Sequence, residues 1–136
     1  MFNAALKGRL DHLIIAVNKG ADINDDDALI YASQYGHLNI VKFLVQAGSN
    51  VHARDEEALR LAVDHLDVMK YLIKSGADIH AEDEEVLRSA SMIGNLEMVK
   101  YLVSQGANIH ADNDSALRRA IMNDRLEVVK YLKSLP

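Results

Sequence analysis

Four glycines, Gly20, Gly48, Gly76 and Gly106, open near-copies of one short run. The copies are Gly20-Ala21-Asp22-Ile23-Asn24, Gly48-Ser49-Asn50-Val51-His52, Gly76-Ala77-Asp78-Ile79-His80 and Gly106-Ala107-Asn108-Ile109-His110. Self-similarity at this period constrains a fold more than any other sequence property, because each copy must form the same small unit. Ahead of each glycine lies an apolar pattern with helical spacing, clearest in Leu96-Glu97-Met98-Val99-Lys100-Tyr101-Leu102 and Leu126-Glu127-Val128-Val129-Lys130-Tyr131-Leu132. Leu38 and Leu66 begin the matching segments of two earlier copies. Upstream of these sits a second motif: Ala28-Leu29-Ile30-Tyr31-Ala32, Ala58-Leu59-Arg60-Leu61-Ala62, Val86-Leu87-Arg88-Ser89-Ala90 and Ala116-Leu117-Arg118-Arg119-Ala120. Each unit thus reads as helix, turn, helix, glycine stop and extended loop. The glycine supplies the left-handed residue that ends a helix. Acidic residues at the start of the first helix (Asp27, Glu56, Glu57, Glu84, Glu85, Asp114) suit its dipole. Ala32, Ala62, Ala90 and Ala120 let neighbouring helices approach. One unit cannot bury its apolar face alone, so the units stack into a solenoid.

These motifs resemble the ankyrin family. The shared elements are A-L-x-x-A on the first helix, G-H-L-x-x-V-K-x-L on the second (Gly36-His37-Leu38 through Leu44), and G-A-D-I-x at the exit. The resemblance spans almost the whole chain, as one domain over 1–136 in about five units: 1–24, 25–54, 55–82, 83–112 and 113–136. It implies an all-α, ankyrin-type helix-turn-helix repeat solenoid. The D-x-x-A-L-R-x-A form is most similar to the ankyrin arrays of giant DNA viruses.

The departures from the family pattern are specific. The usual repeat is 33 residues, whereas the step from Ala28 to Ala58, or from Val86 to Ala116, is shorter, with the loss between exit loop and first helix. The projecting hairpin of ordinary ankyrins is therefore expected to be shortened. The T-P-L-H start is absent. Asp27, Glu57, Glu85 and Ser115 take its Thr position, and Ile30, Arg60, Arg88 and Arg118 its His position. Arg–carboxylate pairs four residues apart (Glu56–Arg60, Glu84–Arg88, Asp114–Arg118) are expected to replace part of the missing network, each worth about 0.3–0.5 kcal/mol. The third unit has lost two residues and a glycine between Ala62 and Leu66, and the first exit loop, from Gly20 to Ala28, is also short.

At the end of the chain, Lys133 takes the slot of Val17, Val45, Ile73 and Val103 and reads as a polar cap. At the beginning, Ile14 takes the slot of Lys42, Lys70, Lys100 and Lys130. There Phe2 and Leu6 either tuck over their own core or, with Ile14, form an apolar face for self-association.

No motif points to catalysis. There is no Gly-x-Ser-x-Gly, no phosphate-binding glycine loop and no cysteine. His52, His80 and His110 recur at one slot, but equivalent slots of stacked helices lie roughly 8–10 Å apart, too far to share a zinc ion. A loop-structuring role is expected instead, the ring bonding nearby backbone, with Asn24 filling the same slot in the first unit. The resemblance also makes Asn24, His52, His80 and His110 candidate targets of an oxygen-dependent asparaginyl hydroxylase. The net charge of −5 argues against a nucleic-acid partner. The lysine row reads as a ridge neutralised by Asn39, Asp67, Glu97 and Glu127, and Phe43, Tyr71, Tyr101 and Tyr131 read as packing between repeats. No run approaches the roughly 18 apolar residues of a membrane span, and an intracellular, cytoplasmic protein without cofactors is expected.

The resemblance implies a protein–protein interaction module whose partner meets the concave face of first helices and exit loops. The varied positions there are Tyr31, Leu61, Ser89 and Arg119 on the first helices and Arg54, Glu82 and Asp112 in the loops, extended by Gln34 and Met92 near the turns. The alternative is a spacer or scaffold within a longer array, such as a ubiquitin-ligase adaptor. A monomer is expected, or a dimer through the N-terminal face.

Overall fold

The computed structural model describes residues 4, 5, 7–22 and 25–136. Among them are nine helices and no strand: α1 (Leu10–Asn18), α2 (Asp26–Gln34), α3 (Leu38–Gln46), α4 (Ala53–Leu61), α5 (Leu66–Lys74), α6 (Ala81–Ile93), α7 (Leu96–Ser104), α8 (Ala111–Met122) and α9 (Leu126–Lys133). They fall into two compact units, Met1–Asp78 with α1 to α5 and Ile79–Pro136 with α6 to α9.

Within each unit one packing rule repeats. The first helix of a repeat packs on its own second helix (α2 on α3, α4 on α5, α6 on α7, α8 on α9). First helices also pack on first helices (α2 on α4, α6 on α8) and second on second (α1 on α3, α3 on α5, α7 on α9). The side chains that allow this are those of the repeated motifs. Ala32, Ala62, Ala90 and Ala120 are wholly buried, as are Leu44, Leu72 and Leu102 on the second helices. Small residues on the first helix thus bring the helix axes close, and the leucines fill the space behind them.

The second helices end as the glycines require. After α3, Gly48 (φ 108) lets its own N–H reach Val45 O at 3.1 Å and the N–H of Ser49 reach Leu44 O at 3.0 Å. This is a Schellman stop, which satisfies carbonyls the helix leaves open. α2 starts conventionally, with the Asp25 carboxylate accepting from Asp27 N at 3.2 Å. The later first helices start in another way, and that difference shapes the candidate site.

Candidate functional site

Before the right-handed turns of α4, α6 and α8 come three consecutive residues in left-handed conformation. They are Arg54-Asp55-Glu56, Glu82-Asp83-Glu84 and Asp112-Asn113-Asp114, with φ between 51 and 63°. The extra residues of the later exit loops, relative to the first, are absorbed by this tight reversed turn.

The recurrent Arg and His slots hold it. Arg60 donates from Nε to Asp55 O at 2.9 Å and from a terminal nitrogen to Arg54 O at 3.2 Å. Arg118 does the same with Asn113 O at 2.9 Å and Asp112 O at 2.7 Å, and Arg88 reaches Glu82 O at 2.8 Å. From the other side, His52 Nδ1 lies 2.5 Å from Glu56 Oε1, His80 Nδ1 2.5 Å from Glu84 Oε1 and His110 Nδ1 2.6 Å from Asp114 Oδ1. The side chain of Asn50 orients the loop before it by accepting from His52 N at 3.0 Å, and Asn108 accepts from His110 N at the same distance.

Four sequence expectations are corrected by this geometry. Arg60 and Arg118 bond backbone carbonyls of the turn, because left-handed residues aim those carbonyls at the guanidinium, and the i, i+4 carboxylates turn to the histidines instead. Arg88 likewise reaches a turn carbonyl, and its carboxylate partners are Glu85 at 2.7 Å and Asp112 at 3.3 Å, not Glu84. The Nδ1 atoms of His52, His80 and His110 structure the loop through a carboxylate four residues on, not through backbone. Glu56 and Glu84 are not solvated helix-start charges but are buried, and Glu84 Oε1 also accepts from Asn108 N of the next repeat at 3.0 Å. Asn24, Phe2 and Leu6 lie outside the described residues.

The lysine ridge is held differently from its sequence reading too. Lys130 pairs with Glu127 at 3.4 Å, but Lys42 Nζ lies 5.8 Å from the ring centre of Tyr71, and Lys100 Nζ lies 5.5 Å from that of Tyr131. Each of these lysines reaches the aromatic slot of the following repeat. The cation–ring attraction needs a separation within about 6 Å.

The turns and first helices present the candidate binding residues. In the first unit Arg54 and Gln34 are exposed and Tyr31 and Leu61 half-buried. Arg54 pairs with Asp27 at 2.7 Å and with Glu57 at 3.7 Å. The hydrogen bond and the charge of Asp27 raise the Arg54 guanidinium further above its ordinary value. In the second unit Glu82, Met92 and Asp112 are exposed, and Ser89 and Arg119 half-buried.

Two residues outside the sequence-predicted set tie this second group together. Glu85 accepts from Ser89 Oγ at 2.8 Å and pairs with Arg88 at 2.7 Å and Arg119 at 3.4 Å, while Arg88 reaches Asp112 at 3.3 Å. The variable slots Ser89, Asp112 and Arg119 are therefore joined through Glu85 and Arg88, whose recurrence in the sequence pointed to local helix pairing. The signal that could have exposed the link is spacing: Glu85 and Ser89 are one helical turn apart.

A model of ankyrin repeats (3 copies) matches residues 1–83 and again 81–135. The chain belongs to the ankyrin-repeat family. Ankyrin repeats serve in general as protein–protein interaction modules. No curated protein gives a match to the chain. Among the described residues no helix of this ankyrin-repeat chain is long and apolar enough to cross a membrane.

Proposed function

We propose that the chain binds a protein partner through its first helices and left-handed turns, and that it acts as a binding surface and not as a catalyst. The observation that supports this reading is the division of labour at the turns. Invariant slots (His52, His80, His110 and Arg60, Arg88, Arg118) are directed at the turn itself, and the side chains that differ between repeats (Arg54, Glu82, Asp112) stand exposed on it. A turn held from both sides loses little conformational entropy when a partner docks, and preorganisation of this kind raises affinity without new contacts. Tyr31, Leu61 and Arg119, half-buried on the neighbouring helices, supply the residue types that anchor interfaces. Gln34 and Met92 extend the surface toward the inter-helix turns.

The test is affinity purification of the full chain and of a Tyr31→Ala, Arg54→Ala variant from the native cell, with the captured proteins quantified. Partners that bind this face drop at least tenfold with the variant, since a hot-spot truncation costs about 2 kcal/mol or more. Undiminished capture by a variant that is still folded would reject the assignment.

A further inference from the structure

The first and last repeats of the chain carry complementary halves of the joint that is used within each unit. Inside each unit the first residue before a second helix sits on the inter-helix turn of the repeat before. His37 lies over Gly8, His65 over Gly36 and Arg125 over Gly94, each so close that a Cβ on the glycine would collide with it. The seated side chain also reaches the carbonyl two residues before the glycine: His65 Nε2 lies 3.0 Å from Gln34 O, and Arg125 Nε donates to Met92 O at 2.9 Å.

The last inter-helix turn, Asn123-Asp124, has the same form. Asp124 takes the glycine slot with φ 56, and Met122 O takes the place of Met92 O. Around this turn apolar side chains are exposed at slots that are buried or half-buried in earlier repeats. Ile121 is 48% exposed, although Ser33 and Ser91 in its slot are wholly buried. Leu126 is 66% exposed, whereas Leu38, Leu66 and Leu96 in its slot are half-buried. Lys133 makes one edge of this face polar, as expected from sequence, but Ile121, Met122 and Leu126 add exposed apolar surface around the Asn123-Asp124 turn.

At the other end, Arg9 stands in the slot of Arg125, immediately before α1, and is exposed. Ile15 is exposed in the slot of Phe43, Tyr71, Tyr101 and Tyr131. Lys42 and Lys100 reach forward to that slot in the next repeat. Ile14 occupies their own slot, which faces onward along the array, so the residue directed to a preceding neighbour is Ile15.

We propose that this chain associates head to tail with further copies of itself. The Asn123-Asp124 turn of one copy, flanked by Ile121, Met122 and Leu126, receives Arg9 and Ile15 of the next. Arg9 repeats the seat of Arg125: its guanidinium reaches Met122 O and, unlike Arg125 over Gly94, meets a carboxylate, Asp124. Lys130 then lays its stem along Ile15. The pairing of Arg9 with Asp124, at slots that are already joined within a unit, selects a second copy as the occupant, and the contact is heterologous, so it extends beyond dimers unless it is blocked.

Light scattering after size exclusion, over a wide range of concentration and salt, tests the idea with two variants. One has a blocked head (Arg9→Gln with Ile15→Lys), the other a blocked tail (Asp124→Arg with Ile121→Lys), so that the two blocked faces carry only like charges toward each other. All four residues are exposed, so the variants keep their helical circular dichroism. The wild-type mass is expected to climb with concentration past twice 15.1 kDa, and salt to reduce it. Each variant alone stays at 15.1 kDa. The mixture of the two forms one good joint and stops at twice that mass. Asp124→Arg alone weakens assembly about tenfold. A wild-type mass of 15.1 kDa at every concentration overturns the proposal and leaves the faces to repeats of a longer array. A mixture that fails to associate, or a wild type that stops at dimers, overturns it in favour of no joint or of a symmetric one.

Discussion

Three consecutive left-handed residues cost a chain of L-amino acids about 1–2 kcal/mol each, so every such turn must be held by what surrounds it. The holders are named by geometry: an arginine on the turn carbonyls and a histidine on the carboxylate of the third residue. Arg118→Gln removes two charged hydrogen bonds from an exposed site and is expected to lower stability by about 2 kcal/mol in urea titration. Lys130→Gln, the exposed control, moves it by less than about 0.5 kcal/mol. Asp83→Gly runs the other way. Relief of about 1–2 kcal/mol of left-handed cost against about 0.5–1 kcal/mol of added chain freedom leaves a net gain of up to about 1.5 kcal/mol.

His110 adds a pH dependence. Its ring is raised above the ordinary 6.5, first by Pro136 O, 2.9 Å from Nε2, and then by Asp114. A raised folded value means that the stabilisation is complete below 6.5 and is lost as pH rises through the folded value. The difference in Tm between the parent and His110→Gln is therefore expected to shrink from about pH 5.5 to about pH 8.5. The residue scale is where the sequence was least legible. Arg54-Asp55-Glu56 contains no glycine, so nothing local announces φ near +55°. The only hint is Asp or Asn at the middle position (Asp55, Asp83, Asn113), the types that tolerate that conformation best.

At the scale of elements, the helices were legible because their apolar spacing and glycine stops agree with each other. The role of the inter-helix glycine was not, because it depends on a side chain about thirty residues later. Gly94 has φ +88, and a Cβ there would lie 2.6 Å from Arg125 Cδ. Gly106 has φ +96, and a Cβ there would meet nothing within 4 Å. Both substitutions to alanine carry the left-handed cost of about 1–2 kcal/mol. Gly94→Ala also unseats Arg125 from Met92 O, which adds about 1–2 kcal/mol for a charged hydrogen bond. Thermal melts are expected to show Gly94→Ala as the more damaging of the two. Equal losses would mean that Arg125 yields without leaving its carbonyl.

At the scale of the whole molecule, a side chain's worth depends on whether its repeat has a neighbour, which no local motif records. Leu96 and Leu126 begin the two most alike segments of the chain, and sequence gives them one role. Leu96 is half-buried, whereas Leu126 is 66% exposed. The same asymmetry separates Ser91, wholly buried, from Ile121. The polar residue lies inside and the apolar one outside, the reverse of what burial alone would select. Leu96→Ser is therefore expected to cost about 1–2 kcal/mol, part of the roughly 1.5–3 kcal/mol for full burial of a leucine. Leu126→Ser should fall within about 0.5 kcal/mol in dilute solution, as exposed substitutions do. Urea titration at two protein concentrations separates the contributions. If Leu126 matters only through a joint with another copy, its substitution is silent when dilute and lowers the midpoint only when the chain is concentrated. A cost already present at the lower concentration would place Leu126 in the fold of its own chain.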